Sequence, residues 1–413
     1  MIPTSQQFDV IVVGMGPAGS SVAFELSRAG VSVLGLEKQT HPRYKVCGGG
    51  LSARIEQYLP TDFKSVVEEE VHRLHFTYGP EESYVIDSEK PFVYMVMRSR
   101  FDQWLVHHAQ VAGTEVHQNE TVTRLKALPE GVEVETDKGR YFSRVVVGAD
   151  GALSVVAQQL FPGRRLQKVP ALESEILFGE MNLGAGQPDT QLRRYANVAI
   201  ISLNAAKKGY GWIFPKHHGL SIGVGEFVRG DSRPKRSFQQ FIQEDPNLSG
   251  YVVPPPVGHP LPICNGYADK KGQRWNGGLV HTHALLVSDA GHLVDPLLGE
   301  GILYAVRSGQ LAATTIVDYL HNTNRHLEAY EEAIIQELGP EFRIASRLNK
   351  VVYGIPRSWH RWVGRTFPVS YQGLLRRYCG MLQSHETYRT LWARMMLKLQ
   401  GPFATASKRA DLS

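Results

Sequence analysis

Three short apolar runs recur along the chain, and each ends in glycine-rich sequence. Phe8 to Val13 leads into Gly14-Met15-Gly16-Pro17-Ala18-Gly19, and Val145 to Val147 into Gly148-Ala149-Asp150-Gly151. Ala284 to Val287 leads into Ser288-Asp289-Ala290-Gly291 and on to Asp295-Pro296-Leu297-Leu298-Gly299-Glu300-Gly301-Ile302. Each run predicts a strand that hands over to a loop or a helix. Small or apolar residues at Ala18, Val22, Ala23, Leu26 and Ala29 keep helical spacing and predict a helix from about Pro17 to Ala29, stopped by Gly30. Val31 to Leu36 predicts a second strand with Glu37 at its end. Further strand-like runs occupy Ala199 to Leu203 and Leu220 to Val224. Tyr210, Trp212 and Phe214 alternate at period two and share one strand face.

The loops carry the chemistry. Strand ends of a doubly wound sheet are where dinucleotides bind. In the first loop Gly14 permits the tight turn, Gly16 lets backbone approach a pyrophosphate, and Gly19 lets the helix pack against the strand. The helix N-terminus favours the phosphates, and Glu37 is suited to a ribose hydroxyl. One such loop is a weak signal; three in this order predict FAD. Asp289 is expected at the ribityl chain, and the helix opened by Gly299, Gly301 and Ile302 is expected to aim its N-terminus at the flavin ring.

Composition adds limits. The chain has 413 residues, 42% hydrophobic and 21% charged, as in ordinary globular proteins. Its three cysteines, Cys47, Cys264 and Cys379, form no C-x-x-C pair, which speaks against a disulfide framework or a cysteine-built metal site and suits a reducing, cytoplasmic setting. No signal peptide is read, and no apolar stretch reaches the roughly 18–20 residues that span a bilayer. Charge is uneven: residues 341–413 hold 13 Lys and Arg against 3 Asp and Glu, with Trp359, Trp362 and Trp392 among them. This basic helical region reads either as a cap on the core or as a peripheral contact with an anionic membrane surface. No nucleic-acid module accompanies it, so nucleic acid is not expected as a partner.

Other segments carry a family resemblance. Pro42-Arg43-Tyr44-Lys45-Val46-Cys47-Gly48-Gly49-Gly50 resembles the cysteine-glycine motif of geranylgeranyl reductases. Gly209 to Pro215 is similar to their Tyr-x-Trp-x-Phe-Pro signature, and Arg98 to Leu105 to their Arg-x-x-Phe-Asp-x-x-Leu segment. The resemblance covers about residues 8–330. It implies an α/β fold like that of para-hydroxybenzoate hydroxylase: a discontinuous Rossmann-type FAD domain, an antiparallel substrate sheet and a C-terminal helical region. The expected boundaries are 1–70, 98–160 and 276–340 for FAD, 71–97 and 161–275 for substrate, and 341–413 for the helical region.

By this resemblance the protein would reduce isoprenoid double bonds on a prenylated lipid, pigment or quinone. Electrons would come from NADPH or from a ferredoxin-type donor protein. Cofactor contacts are expected from Gly14, Gly16, Ala18, Gly19, Glu37, Lys45, Cys47, Gly48, Gly50, Arg98, Val122, Asp150, Asp289, Gly299, Gly301 and Ile302. Arg98 would bind the pyrophosphate. Tyr210, Trp212 and Phe214 would line an apolar tunnel, and Cys47 would stand beside the bond to be reduced. Two other readings share the loops: a flavin monooxygenase or halogenase, and a non-catalytic isoprenoid carrier. Halogenases carry Trp-x-Trp-x-Ile-Pro where this chain has Tyr210, Trp212, Phe214 and Pro215. Carriers lose flavin-binding residues, whereas Asp289 and Gly299 to Ile302 are intact.

Overall fold

The computed structural model describes residues 6–78, 83–164, 168–177, 195, 197–203, 205–206, 208–227, 232–245, 248, 253–264, 278–322, 326–354, 358, 362, 365–366, 368–383 and 387–399. The first sheet holds β1 (Gln6–Val13), β2 (Val33–Glu37), β8 (Glu115–Gln118), β9 (Val122–Leu128), β10 (Gly131–Thr136), β11 (Arg140–Gly148), β17 (Val280–His281) and β18 (Ala284–Leu286). Its central strands run parallel in the order β18-β11-β1-β2-β8. The three apolar runs of the sequence are therefore neighbours: β1, β11 and β18 lie side by side, and their glycine-rich turns leave from one edge. The second strand is shifted from its expected span, beginning at Val33 and including Glu37.

Helix α1 (Pro17–Arg28) covers this sheet together with α5 (Ile302–His321). Their close approach depends on Gly309, where a Cβ would stand 2.8 Å from the Ala18 carbonyl oxygen. That contact sets the N-termini of the two helices around one space.

A second sheet has seven strands: β5 (Arg73–Thr77), β6 (Ser83–Asp87), β12 (Val169–Leu177), β13 (Val198–Leu203), β14 (Gly209–Lys216), β15 (Gly219–Glu226) and β16 (Val257–Leu261), in the order β16-β12-β15-β14-β13-β5-β6. Pairing is antiparallel except for β5 beside β13, which is parallel. Parallel neighbours need a long crossover, and here the chain travels through the first sheet between them. A small third sheet, β3 (Gly50–Ser52), β7 (Val93–Val96) and β4 (Val67–Val71), joins the two. Helix α2 (Arg98–Val111) follows β7 directly, and the short α3 (Val155–Leu160) follows the second glycine turn.

Each face of the second sheet is covered differently. Phe238 and Phe241 of α4 (Pro234–Glu244) pack on one side against Ile213, Ile222 and Val224. The other side carries Leu74, Phe76 and Leu203, which cluster with residues of the C-terminal helices. Those helices are α7 (Gly339–Val352), which α6 (Ala329–Glu337) precedes, then α8 (Pro368–Leu382) and α9 (Tyr388–Leu399). Leu348, Leu375, Met381, Tyr388 and Leu391 turn inward. Arg343, Arg347, Lys350, Arg376 and Arg389 are exposed. The basic region is thus a cap with its charge outward; Trp392 packs on the cluster, Trp362 is 54% exposed, and Trp359 lies outside the described residues. Among the described residues no helix is long and apolar enough to cross a membrane.

One buried group ties this cap to the third glycine segment. Asp295 accepts hydrogen bonds from Leu297 N at 2.7 Å, Leu298 N at 2.8 Å and the Tyr388 hydroxyl at 2.8 Å. Replacing Tyr388 by Phe leaves a buried acceptor short of one donor. Denaturant unfolding should show a loss of about 1–3 kcal/mol with an unchanged denaturant slope; an unaltered midpoint would mean that α9 docks without this bond.

Candidate functional site

The glycine-rich turns of the first sheet and the aromatic face of β14 open onto one cavity of about 660 Å³. It brings together Gly14, Gly16, Ala18, Glu37, Lys45, Cys47, Gly48, Gly50, Arg98, Val122, Asp150, Asp289, Gly299, Gly301 and Ile302. Tyr210, Trp212 and Phe214 line it as well. Gly19 is not among the lining residues. A Cβ there would lie 1.9 Å from the Gly14 carbonyl oxygen, so Gly19 lets α1 close onto the turn.

The geometry of the first turn separates fold from site. Gly14 has φ +91°, and a Cβ on it would meet Ala149 O at 2.6 Å. A Cβ on Gly16 would meet nothing nearer than Arg43 Nη2 at 3.6 Å, so the turn is open toward the cavity there. No side chain caps α1. Glu37 braces the turn from β2: its Oε2 accepts from Met15 N at 2.9 Å and its Oε1 from Gln39 N at 3.0 Å. In the second turn Asp150 Oδ2 accepts from Val155 N at 2.6 Å. Its Oδ1 is buried without a hydrogen-bond partner, and burial raises its pKa.

Two arginines lie near this end. Both arms of the Arg98 fork are held by Asp102, at 2.8 and 2.9 Å. Arg43 Nη1 also stands 3.1 Å from Asp102, and its Nη2 would lie 3.6 Å from a Cβ placed on Gly16, so this guanidinium borders the first turn. Arg43 was legible only as part of the cysteine-glycine segment; nothing in its spacing marked it as the cation over the turn.

Further along, Lys45 Nζ lies 3.0 Å from His259 Nε2, which is 3.8 Å from Asp289 Oδ2. Burial, with Arg98 nearby, lowers the Lys45 ammonium to about 8. Burial would raise the Asp289 carboxyl, but His259, Lys45 and Arg98 outweigh it and hold its pKa below the usual range. His259 comes from β16, far away in sequence, and no pattern announced it.

The cysteine-glycine segment packs directly on the aromatic face. A Cβ at Gly48 would touch Phe214 at 3.0 Å and Trp212 Nε1 at 3.2 Å. Gly223 on β15 makes room for the indole, since a Cβ there would fall 2.1 Å from Trp212 Cζ2. Lys216 continues the period-two row of Tyr210, Trp212 and Phe214. Its buried ammonium donates to Gly48 O at 2.7 Å and Val96 O at 2.8 Å, and burial lowers it to about 8. That row was the available signal for Lys216. Tyr210 donates its hydroxyl to the Leu298 carbonyl in the third glycine segment. Tyr378 and Leu382 of α8 complete the wall beside Leu74 and Ile201.

These residues fit FAD. The open backbone at Gly16, the guanidinium above it, the unpartnered Asp150 oxygen and the uncapped start of α5 all face one space. Among the described residues no cluster could hold a metal ion, and the three cysteines are free thiols.

Known proteins agree. A family model described as an FAD binding domain matches residues 7–334. The chain is 28% identical over 381 residues to a geranylgeranyl diphosphate reductase of Rhodobacter capsulatus, covering 89% of this chain and 90% of that protein. In structure it is similar to a geranylgeranyl bacteriochlorophyll reductase-like protein of Thermoplasma acidophilum, with a TM-score of 0.72, 19% identity and coverage of 98% and 99%. A flavin-dependent brominase shares the fold with a TM-score of 0.68, 18% identity and coverage of 96% and 100%. With a family match that runs through most of the chain and three matching turns on one cavity, the protein belongs to the FAD binding domain family and is an FAD-dependent oxidoreductase.

Proposed function

We propose that this oxidoreductase saturates carbon–carbon double bonds of a geranylgeranyl-type chain. The observation that carries the reading is the shared cavity: the FAD-type turns and the aromatic strand face line the same space. On this reading the FAD-holding parts are residues 1–70, 98–160 and 276–340, with 71–97 and 161–275 facing the substrate. Reduced FAD, when bound, supplies the hydride.

The chain's own residues do the rest. Gly16 receives the pyrophosphate, with Arg43 and Arg98 as the charge-assisted donors that line the same cavity. Glu37 and Val122 stand at the adenosine side, and Asp289 with Lys45 at the flavin side. An isolated trisubstituted alkene has no carbonyl to stabilise developing charge, so holding it still carries much of the barrier. Trp212, Phe214 and Tyr210 supply a rigid apolar wall that excludes water, and Tyr378 and Leu382 close the space from the helical cap. Cys47, on a segment stapled at Gly48, shapes the pocket for the bond.

The outward basic face of the cap, with Trp362 and Leu374 exposed, suits the anionic membrane surface from which a prenylated substrate would come. The brominase likeness concerns the fold alone, and Tyr210 and Phe214 depart from the halogenase motif. The carrier reading has no support in a chain whose flavin-side segments are intact.

Three outcomes test this. Gly16→Val should fold normally, because its Cβ has room, yet purify without flavin absorbance; a yellow Gly16→Val protein would contradict the pyrophosphate site. Cys47→Ala should retain FAD and change which double bonds are saturated, with less than about a tenfold loss of rate. Product mass spectrometry at equal turnover checks it, and an unchanged product mixture would remove Cys47 from the pocket. The double variant Lys350→Glu/Arg376→Glu should weaken co-sedimentation with anionic vesicles at low salt only; equal binding would assign the basic face no membrane role.

A further inference from the structure

Glu173 is a carboxylic acid only 1% exposed, and it lines the cavity from β12. Its Oε1 accepts a hydrogen bond from Ser221 Oγ at 2.9 Å, and its Oε2 accepts one from the Tyr44 hydroxyl at 3.0 Å. Ser221 Oγ in turn accepts from Trp212 Nε1 at 3.3 Å. Tyr44 is 50% exposed, whereas Trp212 stands in the aromatic wall. An unbroken row of hydrogen bonds therefore runs from a surface side chain to the wall of the reaction space, with a carboxyl at its middle.

The surroundings decide which form of that carboxyl is stable. Isolated buried charge is costly. From β14, Lys216 faces Glu173, but its ammonium already serves two backbone carbonyls. Glu175, on the same strand, opposes a second negative charge, and Tyr44 and Ser221 are neutral donors. On β16, His259 pairs opposite Ala171 and reaches Lys45, while Val257 is the residue opposite Glu173. Burial is the largest influence and pushes the Glu173 carboxyl up to about 7. Both its acid and carboxylate forms are then accessible near neutral pH, as a proton donor requires.

We propose that Glu173 is the acid that protonates the substrate alkene and is recharged from solvent through Tyr44. This rests on the prenyl reductase reading above. On that reading a hydride reaches one alkene carbon. The π electron pair forms the new C–H bond at the other carbon with the Glu173 proton. The carboxyl O–H bond breaks and leaves a carboxylate, which regains a proton along the Tyr44 row. The alkene gains one hydride and one proton, and no other reactant is needed.

The test uses the FAD-loaded full chain with Glu173→Gln, Glu173→Asp and Tyr44→Phe. Glu173→Gln should keep flavin absorbance and lower alkene saturation by roughly 10²–10⁴-fold. The wild-type rate should fall as pH rises through about 7, the value to which burial brings this carboxyl, and the residual Glu173→Gln rate should lack that limb. Glu173→Asp should recover part of the loss. Tyr44→Phe should slow repeated turnover while leaving a single turnover close to wild type.

Infrared difference titration gives a readout independent of turnover. A protonated-carboxyl band should disappear with a midpoint near 7 in the wild type and be missing in Glu173→Gln. Wild-type rate and pH profile in Glu173→Gln, or an identical infrared titration, would overturn the proposal while the reductase reading stands. A wild type that leaves every prenyl chain unsaturated would overturn both.

Discussion

The buried ammonium of Lys216 holds together the parts on which the site depends. It projects from β14 and donates to the carbonyls of Gly48 and Val96, so one side chain joins the second sheet, the cysteine-glycine segment and the end of β7. The fit leaves no slack. Gly49 has φ +68°, and a Cβ there would stand 2.2 Å from Val96 O and 2.3 Å from Lys216 Nζ. Such a conformation in that space admits only glycine. The staple fixes the segment that carries Cys47, whose thiol accepts a 3.4 Å hydrogen bond from Gly49 N, has Arg98 beside it and packs on the core.

From that join the cavity acquires two unlike ends. Toward the first sheet it is built of backbone and fixed charge: open glycines, helix N-termini, Arg43, Lys45 and Asp289, with His259 joining the last two from β16 of the second sheet. On the second sheet it is aromatic, with Trp212 seated over Gly223 and Phe214 against Gly48. A polar, anionic cofactor and an apolar chain would thus meet at the border between two surfaces suited to each. The cap formed by α7, α8 and α9 closes the aromatic end, held to the third glycine segment by the bond between Tyr388 and Asp295.

Much of this was legible in the chain because backbone chemistry leaves local marks. Glycine turns after apolar runs announce themselves, and so does the period-two row of Tyr210, Trp212 and Phe214. What stayed hidden came from pairings between distant segments. Arg98 is marked by its Arg-x-x-Phe-Asp-x-x-Leu segment, but only folding reveals that Asp102 holds its fork and that Arg43 stands beside the same carboxylate and borders the Gly16 turn. Glu173 reads as one more acidic residue in a strand until Tyr44, 129 positions away, is set against it. The basic tail showed its charge but not its inward stripe, since Leu375, Met381 and Leu391 acquire meaning only from the sheet they cover.

The proposed function requires that one cavity carry both the reducing cofactor and the alkene, so that reducing equivalents pass to carbon and not to oxygen. It is tested by reducing the FAD-loaded protein photochemically without air, adding geranylgeranyl diphosphate, and following flavin absorbance and product mass together. Flavin should then reoxidise without oxygen, and each equivalent reoxidised should add two hydrogens to the prenyl chain. Flavin that stays reduced until air is admitted, with the chain's mass unchanged, would contradict it.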